Sequence, residues 1–396
     1  MKRKLIFLIL STSALMLFAQ TTGSIGKSSS KFIKGNIADK TAAVREASES
    51  EAEWITSQAI NFCLENKKLL GTDRELDGLA VAAVLSISPE KVKKNTDAKN
   101  AELISNFIEL FSQFDKSSTV QIAVLNKIVA LKDYIPVQKF SKTLNLYLKN
   151  NEAGSIEQGV FKNILVTLSE TGDNESFTIL YGLLSDRKFQ AYYSEIEAAT
   201  IALIPSAMNE VISLIKGQDM QKITSTFALV QKNSKISQKN LCEISENVLN
   251  ESILITENSS GISAGSIDVQ LTALSILDAN KWTRASSLAL SYFQLSKKFY
   301  EKGNMNVSQF TTVISSLRNI APLDAVTPLT DYLEELNGRV ESERQVSSDV
   351  ALAVIKTLGA IGDKAAFDSL LAVTYLNYDE SVLTAARDAL SGLRWQ

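Results

Sequence analysis

The chain has 396 residues, of which 45% are hydrophobic, and it contains only 5 Pro and 17 Gly. This composition supplies apolar material for a large folded body and excludes a disordered or collagen-like chain. The formal net charge is −3, so no overall positive field favours nucleic acid as a partner. The absence of His, with only 2 Cys, removes the commonest general base and excludes the ordinary zinc-site spacings.

Residues 1–19 have the pattern of a secretory signal peptide. A basic start, Met1 to Lys4, precedes a short apolar stretch that ends at Ala19 and is followed by polar residues. The stretch is too short and too interrupted by Ser and Thr to favour a spanning helix. We expect cleavage after Ala19, without lipid attachment because no cysteine lies near, and a periplasmic or secreted chain with no membrane insertion afterwards. A signal segment retained as an anchor is the alternative.

Residues 20–50 are rich in Ser, Lys, Ala and Glu and have little periodicity, so we interpret them as a flexible lead-in, with a helix from Ala42 onward as an alternative for its last part. Residues 51–396 divide into helical segments separated by polar turns, and no run alternates as a strand would. The predicted fold class is all-α, with about eight or nine helical hairpins. The predicted breaks lie at 71–73, 115–118, 150–156, 172–174, 217–219, 258–267, 303–304, Pro322 and Gly338.

The break at 257–267 is dominated by Ser and Gly. It is interpreted either as a hinge between two halves of the helical array or as a long inter-helix loop, and the loop is preferred.

A helical corner near the C-terminus is the clearest repeat signal. The apolar period of 350–361 ends at Gly359 and Gly362, which predicts a helix end in the left-handed conformation. Asp363 follows and is expected to cap the next helix. A weaker copy at 160–184 assigns these roles to Gly172 and Asp173.

Apolar anchors repeat with the same spacing of nine residues and then three. The period between anchors is about 35 to 41 residues, which fits two short helices and their turns. The clearest repeats are 160–204 and 317–393. The anchor sets are Leu168, Phe177 and Leu180; Leu203, Ile212 and Ile215; Leu317, Val326 and Leu329; and Leu358, Phe367 and Leu370.

The C-terminal stretch resembles the HEAT repeat family, in its short bacterial form related to phycobilisome-lyase-type repeats. The matching residues are Leu358-Gly-Ala-Ile-Gly-Asp363, Leu370-Leu371, Asp379, Val382, Ala385-Ala386 and Ala389-Leu390. The arginine expected after Val382 is replaced by Leu383, and Arg387 follows four residues later.

The resemblance implies a right-handed α-solenoid whose second helices face the concave side. Exposed positions on 174–185, 324–337 and 364–377 would then form a binding groove. Six tyrosines are considered for such a surface, with packing between repeats as the alternative: Tyr181, Tyr192, Tyr193, Tyr332, Tyr375 and Tyr378. Trp395 is expected to close the last repeat.

Two further residue types are interpreted as structural. Cys63 and Cys242 are far apart in sequence and are expected to be separate buried thiols rather than a disulfide. The lysine clusters at 67–68, 91–94 and 297–298 are interpreted as solvated helix ends.

These patterns favour a non-enzymatic protein-binding scaffold or adaptor in the bacterial cell envelope, with an envelope protein as partner. Since the sequence contains no phosphate loop and no metal-ligand spacing, it indicates no catalytic residue, metal or cofactor. The alternative is a carboxylate-based envelope enzyme or a glycan-binding protein with its site in the solenoid groove. The binding residues and the oligomeric state stay open.

Overall fold

The computed structural model describes residues 26–152, 154–217, 219–258 and 264–394. The predicted signal peptide (1–19), Trp395 and the centre of the proposed hinge (259–263) lie outside these residues. The chain divides into two compact units, one ending at Ala199 and the other beginning at Thr200.

The first unit is helical throughout its described residues. Its α-helices are α1 Lys27–Lys34, α2 Ile37–Glu46, α3 Glu49–Leu70, α4 Arg74–Ser86, α5 Pro89–Val92, α6 Asp97–Gln113, α7 Ser118–Leu131, α8 Gln138–Asn150, α9 Gln158–Thr171 and α10 Asn174–Leu183. A 3-10 helix, Arg187–Tyr192, leads into α11, Tyr193–Leu203, which crosses the boundary between the units.

The second unit has the same character. Its α-helices are α12 Met208–Ile215, α13 Met220–Lys232, α14 Gln238–Asn258, α15 Ala264–Ala279, α16 Ser286–Glu301, α17 Val307–Ile320, α18 Val326–Glu341, α19 Ser348–Ile361, α20 Phe367–Val373 and α21 Glu380–Ser391. Short 3-10 helices occupy Ile204–Ser206, Thr283–Ala285 and Lys364–Ala366. The described part of the chain contains no β-strand, only an isolated bridge between Asp363 and Arg394. The all-α prediction is confirmed.

Within each unit, alternate helices lie side by side in two rows. In the first unit α2, α4, α7 and α9 form one row, and α1, α3, α6, α8 and α10 form the other. In the second unit α15, α17, α19 and α21 are consecutive neighbours, and α14, α16, α18 and α20 follow one another in the opposite row. This is the arrangement of stacked helical hairpins. The right-handed superhelix stays a prediction.

The apolar anchors found in the sequence lie in the core. Ten of the twelve anchors are buried, and Phe367 and Ile212 are half-buried. A spacing of 38 residues recurs between polar partners on neighbouring hairpins, in Lys132–Glu170, Arg284–Glu246, Ser286–Asp324, Lys297–Glu335 and Arg339–Glu301. Several other polar contacts between neighbouring helices of the same rows are 32 to 41 residues apart, so the spacing varies around this value along the chain.

The C-terminal corner forms largely as predicted. Gly362 ends α19 with φ 74°, and its N–H donates to the carbonyl of Leu358 at 2.8 Å. The Asp363 carboxylate accepts from the Ala365 N–H at 2.8 Å and caps the next turn. Gly359 instead lies inside α19, where a Cβ would stand 2.8 Å from the Cβ of Ala389. That glycine therefore allows α19 and α21 to approach closely.

Two other glycine predictions are wrong. Gly172 has φ −72° and ψ 168°, which is extended backbone rather than the left-handed conformation. The cap at that corner comes from Asp173, which accepts from the Ser176 N–H at 3.1 Å in a capping box. Gly338 does not break a helix, because it lies on the exposed side of α18 and packing of the opposite face carries the helix past it.

The flexible lead-in predicted at 20–50 differs from the structure, which has α1 and α2 there. Phe32 is buried and meets the Trp54 ring edge-on at 6.3 Å, and Ala43 and Val44 are also buried. The Glu51 carboxylate on α3 accepts from the N–H and hydroxyl of Ser29 at 2.9 Å and so caps α1. The sequence shows little periodicity here because tertiary contacts to α3 and α4, rather than a long apolar stripe, hold these short helices.

The cysteine prediction is confirmed and one lysine prediction is wrong. Cys63 and Cys242 are both free and buried. Desolvation, reinforced by Asp77, raises the pKa of the Cys63 thiol to about 12. Lys67 is not a solvated helix end: only 9% of it is exposed, and its ammonium lies 3.3 Å from Asp77 and 3.9 Å from the centre of the Phe114 ring.

Arg387 pairs with Glu380 of its own helix at 3.0 Å. It therefore does not replace the inter-repeat arginine that the HEAT pattern expects after Val382.

The conformational role of Gly362 at the corner can be tested by comparing its substitution with that of Gly338 in α18. Gly362→Ala is expected to lower the free energy of unfolding by about 1 kcal/mol, because an L-residue is strained in the left-handed region. Gly338→Ala is the matched control and should raise it by roughly 0.5 kcal/mol, since it places alanine at an open helical position. Urea unfolding followed by circular dichroism measures both, and equal effects would contradict the corner geometry.

Lys67→Met is expected to destabilise the chain by about 3 kcal/mol, the lower end for a broken buried ion pair, because Asp77 keeps some access to water. The neighbouring Lys68 is exposed, so Lys68→Met serves as the control and should change little. The same urea unfolding experiment compares the two, and a loss of less than 1 kcal/mol for Lys67→Met would show that the pair is not a structural tie.

Candidate functional site

The tyrosines considered for a binding surface divide into three groups. Tyr332 is only 1% exposed, and its ring packs edge-on against Phe293 and Phe310 at 5.9 Å each. Tyr375 and Tyr193 are open to solvent, with exposed fractions of 82% and 49%. The other three are half-buried. Tyr181 stacks on Phe177, the ring of Tyr192 contacts Phe161 at a tilt of 54°, and Tyr378 donates to the Asn337 side chain at 3.0 Å.

The predicted groove positions on 324–337 and 364–377 fall on α18, α20 and their flanking turns. Asp331, Glu334, Asp368 and Tyr375 are exposed there. Glu334 accepts from the Ser369 hydroxyl at 2.8 Å, so part of this surface is already used to join α18 to α20. The predicted positions on 174–185 belong to α10 of the first unit, where Glu175 pairs with Lys149 at 3.0 Å.

A cleft in the first unit lies between the N-terminal half of α3, the connection 86–95 and α6. Its volume is about 190 Å³. The lining residues are Ala52, Glu53, Thr56, Ser57, Ile60, Ser86, Ile87, Ser88, Lys91, Val92, Asn95, Lys99, Glu102, Leu103 and Asn106. Apolar side chains form part of its wall, with Ile60 and Val92 nearly fully buried.

The cleft coincides with an irregularity in the repeat. Glu53 on α3 and Lys99 on α6 are joined across neighbouring hairpins at a separation of 46 residues. This exceeds the 38 of the recurring pairs and the 34 between Ser105 and Lys139, which join the next two helices of the same row. The short helix α5 lies in the connection that contains the additional residues. Its residues Lys91 and Val92 contribute directly to the cleft wall.

Two lysines lie at the rim, and one of them binds a carboxylate. Lys99 Nζ donates to Glu53 Oε1 at 2.8 Å, and Lys91 Nζ donates to the Glu49 carbonyl at 3.0 Å. The hydrogen bond and charge of Lys99, with a weaker attraction from Lys91, hold the pKa of Glu53 below its ordinary value against some desolvation. The pKa of Lys99 is raised, chiefly by its hydrogen bond to Glu53. Glu53 and Lys99 are 67% and 58% exposed, so water and salt reach the pair.

Hydroxyl and amide groups complete the lower wall. The hydroxyls of Thr56 and Ser86 share a hydrogen bond of 2.8 Å between α3 and the end of α4. Asn95 donates to the Asn100 side chain at 3.2 Å, and Asn100 donates to the Tyr134 carbonyl at 2.8 Å. These bonds fix the connection 86–95 to both flanking hairpins.

Sequence reasoning did not find this cleft. It interpreted the lysines at 91–94 as solvated helix ends and gave no weight to Lys99. The one signal in the sequence is Pro89 within an apolar and lysine-rich connection, which marks a short extra helix but not what lies opposite it.

The described residues contain no group of three or more His, Cys, Asp or Glu side chains that could hold a metal ion. In the same residues no single helix is long and apolar enough to cross a membrane. One bent pair of helices, Arg187–Ser206 and Met208–Ile215, reaches that length and composition only when its two arms are taken together.

No family model, curated protein or solved structure matches the chain. The likeness to HEAT repeats therefore rests on the residues given above, and membership of that family stays a prediction.

The pair at the cleft rim predicts a shift in titration. In Lys99→Gln the pKa of Glu53 should rise towards its ordinary value, because its main hydrogen bond and nearest positive charge are removed. Any stability from ionised Glu53 is present above its unfolded pKa and lost as the pH falls through the folded pKa. Carboxyl ¹³C NMR on glutamate-labelled protein, with Glu53→Gln for assignment, measures this. Lys68→Gln is the control, and an unchanged Glu53 pKa in Lys99→Gln would contradict the pairing.

Proposed function

We propose that this chain is a non-enzymatic protein-binding scaffold or adaptor of the bacterial cell envelope. The observation that carries the proposal is the stacking of alternate helices into two rows in each unit, joined by polar pairs at a 38-residue period. Stacked hairpins expose long continuous helical surfaces, and proteins built this way use those surfaces mainly to bind other macromolecules. A right-handed solenoid of HEAT type is part of the same proposal.

The exposed faces of the second unit support a protein partner. Tyr375 presents a large aromatic side chain to solvent, and Asp331 on α18 and Asp368 on α20 are exposed in the same unit. Exposed aromatic residues with charged neighbours are typical of the centre and rim of protein interfaces. The net charge of −3 gives no support for nucleic acid as the partner.

The cell-envelope location rests on the signal peptide predicted at 1–19. A basic start followed by a short apolar stretch is read by the export machinery, so the partner is expected to be a periplasmic or surface protein. The carboxylate-enzyme alternative would need two acids facing each other across a groove, and it enters as an outcome of the test below.

Affinity capture tests the proposal. The tagged mature chain, lightly cross-linked in envelope extract, should retain one dominant protein in stoichiometric amount. The double variant Asp331→Arg with Tyr375→Ser should lose it if the second-unit surface binds, whereas Lys356→Glu on the opposite row is the control and should retain it. Turnover of a cell-wall or glycan substrate by the purified chain would overturn the non-enzymatic proposal.

A further inference from the structure

The cleft between α3, α5 and α6 places lysine ammonium groups next to an apolar wall, and one common ligand carries the two complementary groups. Its rim carries the ammonium groups of Lys91 and Lys99, and its wall carries the apolar side chains of Ile60, Val92 and Leu103. The carboxyl-terminal residue of a protein presents a carboxylate and a side chain from a single Cα atom. A terminal residue with an apolar side chain therefore matches the apolar wall. The lining also contains Glu53 and Glu102, so its carboxylate matches the rim in charge once it takes the place of Glu53.

Glu53 shows where a ligand carboxylate would lie. Its Oε1 atom accepts from Lys99 at 2.8 Å, and Lys91 lies near enough to attract the same carboxylate. An ammonium group has three donors, and the bond from Lys91 to the Glu49 carbonyl uses only one of them. Lys91 can therefore bind a ligand carboxylate and keep its present contact, whereas Lys99 binds one in exchange for Glu53.

The Glu53 carboxylate is also easily displaced. Its side chain is two-thirds exposed, and exposed ion pairs of this kind contribute little to stability. The walls of the cleft are held more firmly than the Glu53 side chain, because the Thr56–Ser86 and Asn100–Tyr134 hydrogen bonds fix them to the neighbouring helices. The rim can exchange partners while the cleft keeps its shape.

We propose that this cleft binds the carboxyl terminus of a partner protein, with the terminal carboxylate on Lys91 and Lys99 in place of Glu53 and an apolar terminal side chain against Ile60, Val92 and Leu103. The inference rests on the proposed protein-binding function and names the part of the partner that this chain recognises. Glu53 then acts as an internal competitor, which covers the lysines until a terminus displaces it.

Fluorescence anisotropy with synthetic peptides tests the inference on the full mature chain. The probe is a labelled peptide mixture with randomised upstream positions that ends in Leu, Val or Phe, made once with a free carboxylate and once as the amide. The free-carboxylate mixture should bind at least about tenfold more tightly, because the amide loses a charge-assisted interaction. Equal binding of the two mixtures, or no binding of either, would overturn the inference.

Two substitutions in the same ion pair should act in opposite directions. Lys99→Gln should weaken peptide binding by about tenfold, since it removes one charged donor. Glu53→Gln should strengthen binding several-fold, since it removes the competing carboxylate while keeping the size of the side chain. Lys68→Gln, also on α3 but outside the cleft, is the control and should leave the affinity unchanged. Weaker binding in both cleft variants would indicate a damaged cleft and would count against the proposal.

Two further measurements complete the test. The first distinguishes a protein terminus from a free amino acid as the ligand, and the second distinguishes the cleft contact from the scaffold function. Free leucine should compete only weakly with the peptides. If leucine bound as tightly as the peptides, the ligand of the cleft would be a free amino acid and the proposed partner terminus would be wrong. Capture from envelope extract is then repeated with Lys99→Gln. A partner that is captured equally well by this variant would leave the scaffold function intact and overturn the cleft as its contact.

Discussion

Within each unit, the described hairpins depend on their neighbours to bury their apolar faces, because two helices alone cannot enclose a core. The anchors Leu317, Leu329 and Leu358 are completely or almost completely buried although each helix is short. Their burial requires the rows of helices to stay in register. Most of what distinguishes one part of the chain from another follows from how that register is kept or interrupted.

Polar side chains keep the register at places where apolar packing alone would allow hairpins to slide. Asn337 on α18 donates to the Ser369 carbonyl at 3.1 Å and accepts from the Tyr378 hydroxyl at 3.0 Å. On the first unit, Lys127 reaches across to the Ile87 carbonyl at 2.8 Å, near the C-terminal end of α4, where a positive charge is favourable. Such bonds are directional, so each fixes a distance along the row as well as a contact.

The cleft of the first unit is a consequence of the same constraint. Where additional residues enter the repeat, α3 and α6 are no longer joined at the regular period, and α5 lies in the connection between them. The space that results is held open by hydrogen bonds at its base and covered at its rim by an exposed ion pair. A ligand that competes for the ion pair therefore does not have to unfold anything, which is why we assign recognition to this place.

Local patterns in the sequence predicted the all-α class, most of the turns, the buried anchors and the caps at Asp173 and Asp363, because these depend on residues close together in the chain. It did not reveal α1 and α2, whose contacts come from α3 and α4, nor that Gly338 continues a helix. Only the tertiary structure showed that Lys67 is buried against Phe114 and that Lys91, Lys99 and Glu53 meet at one rim. These contacts join residues that are far apart in the chain. Glu53 and Lys99 are 46 residues apart, and the sequence around either residue does not indicate the other. The packing of α3 against α6 brings them together.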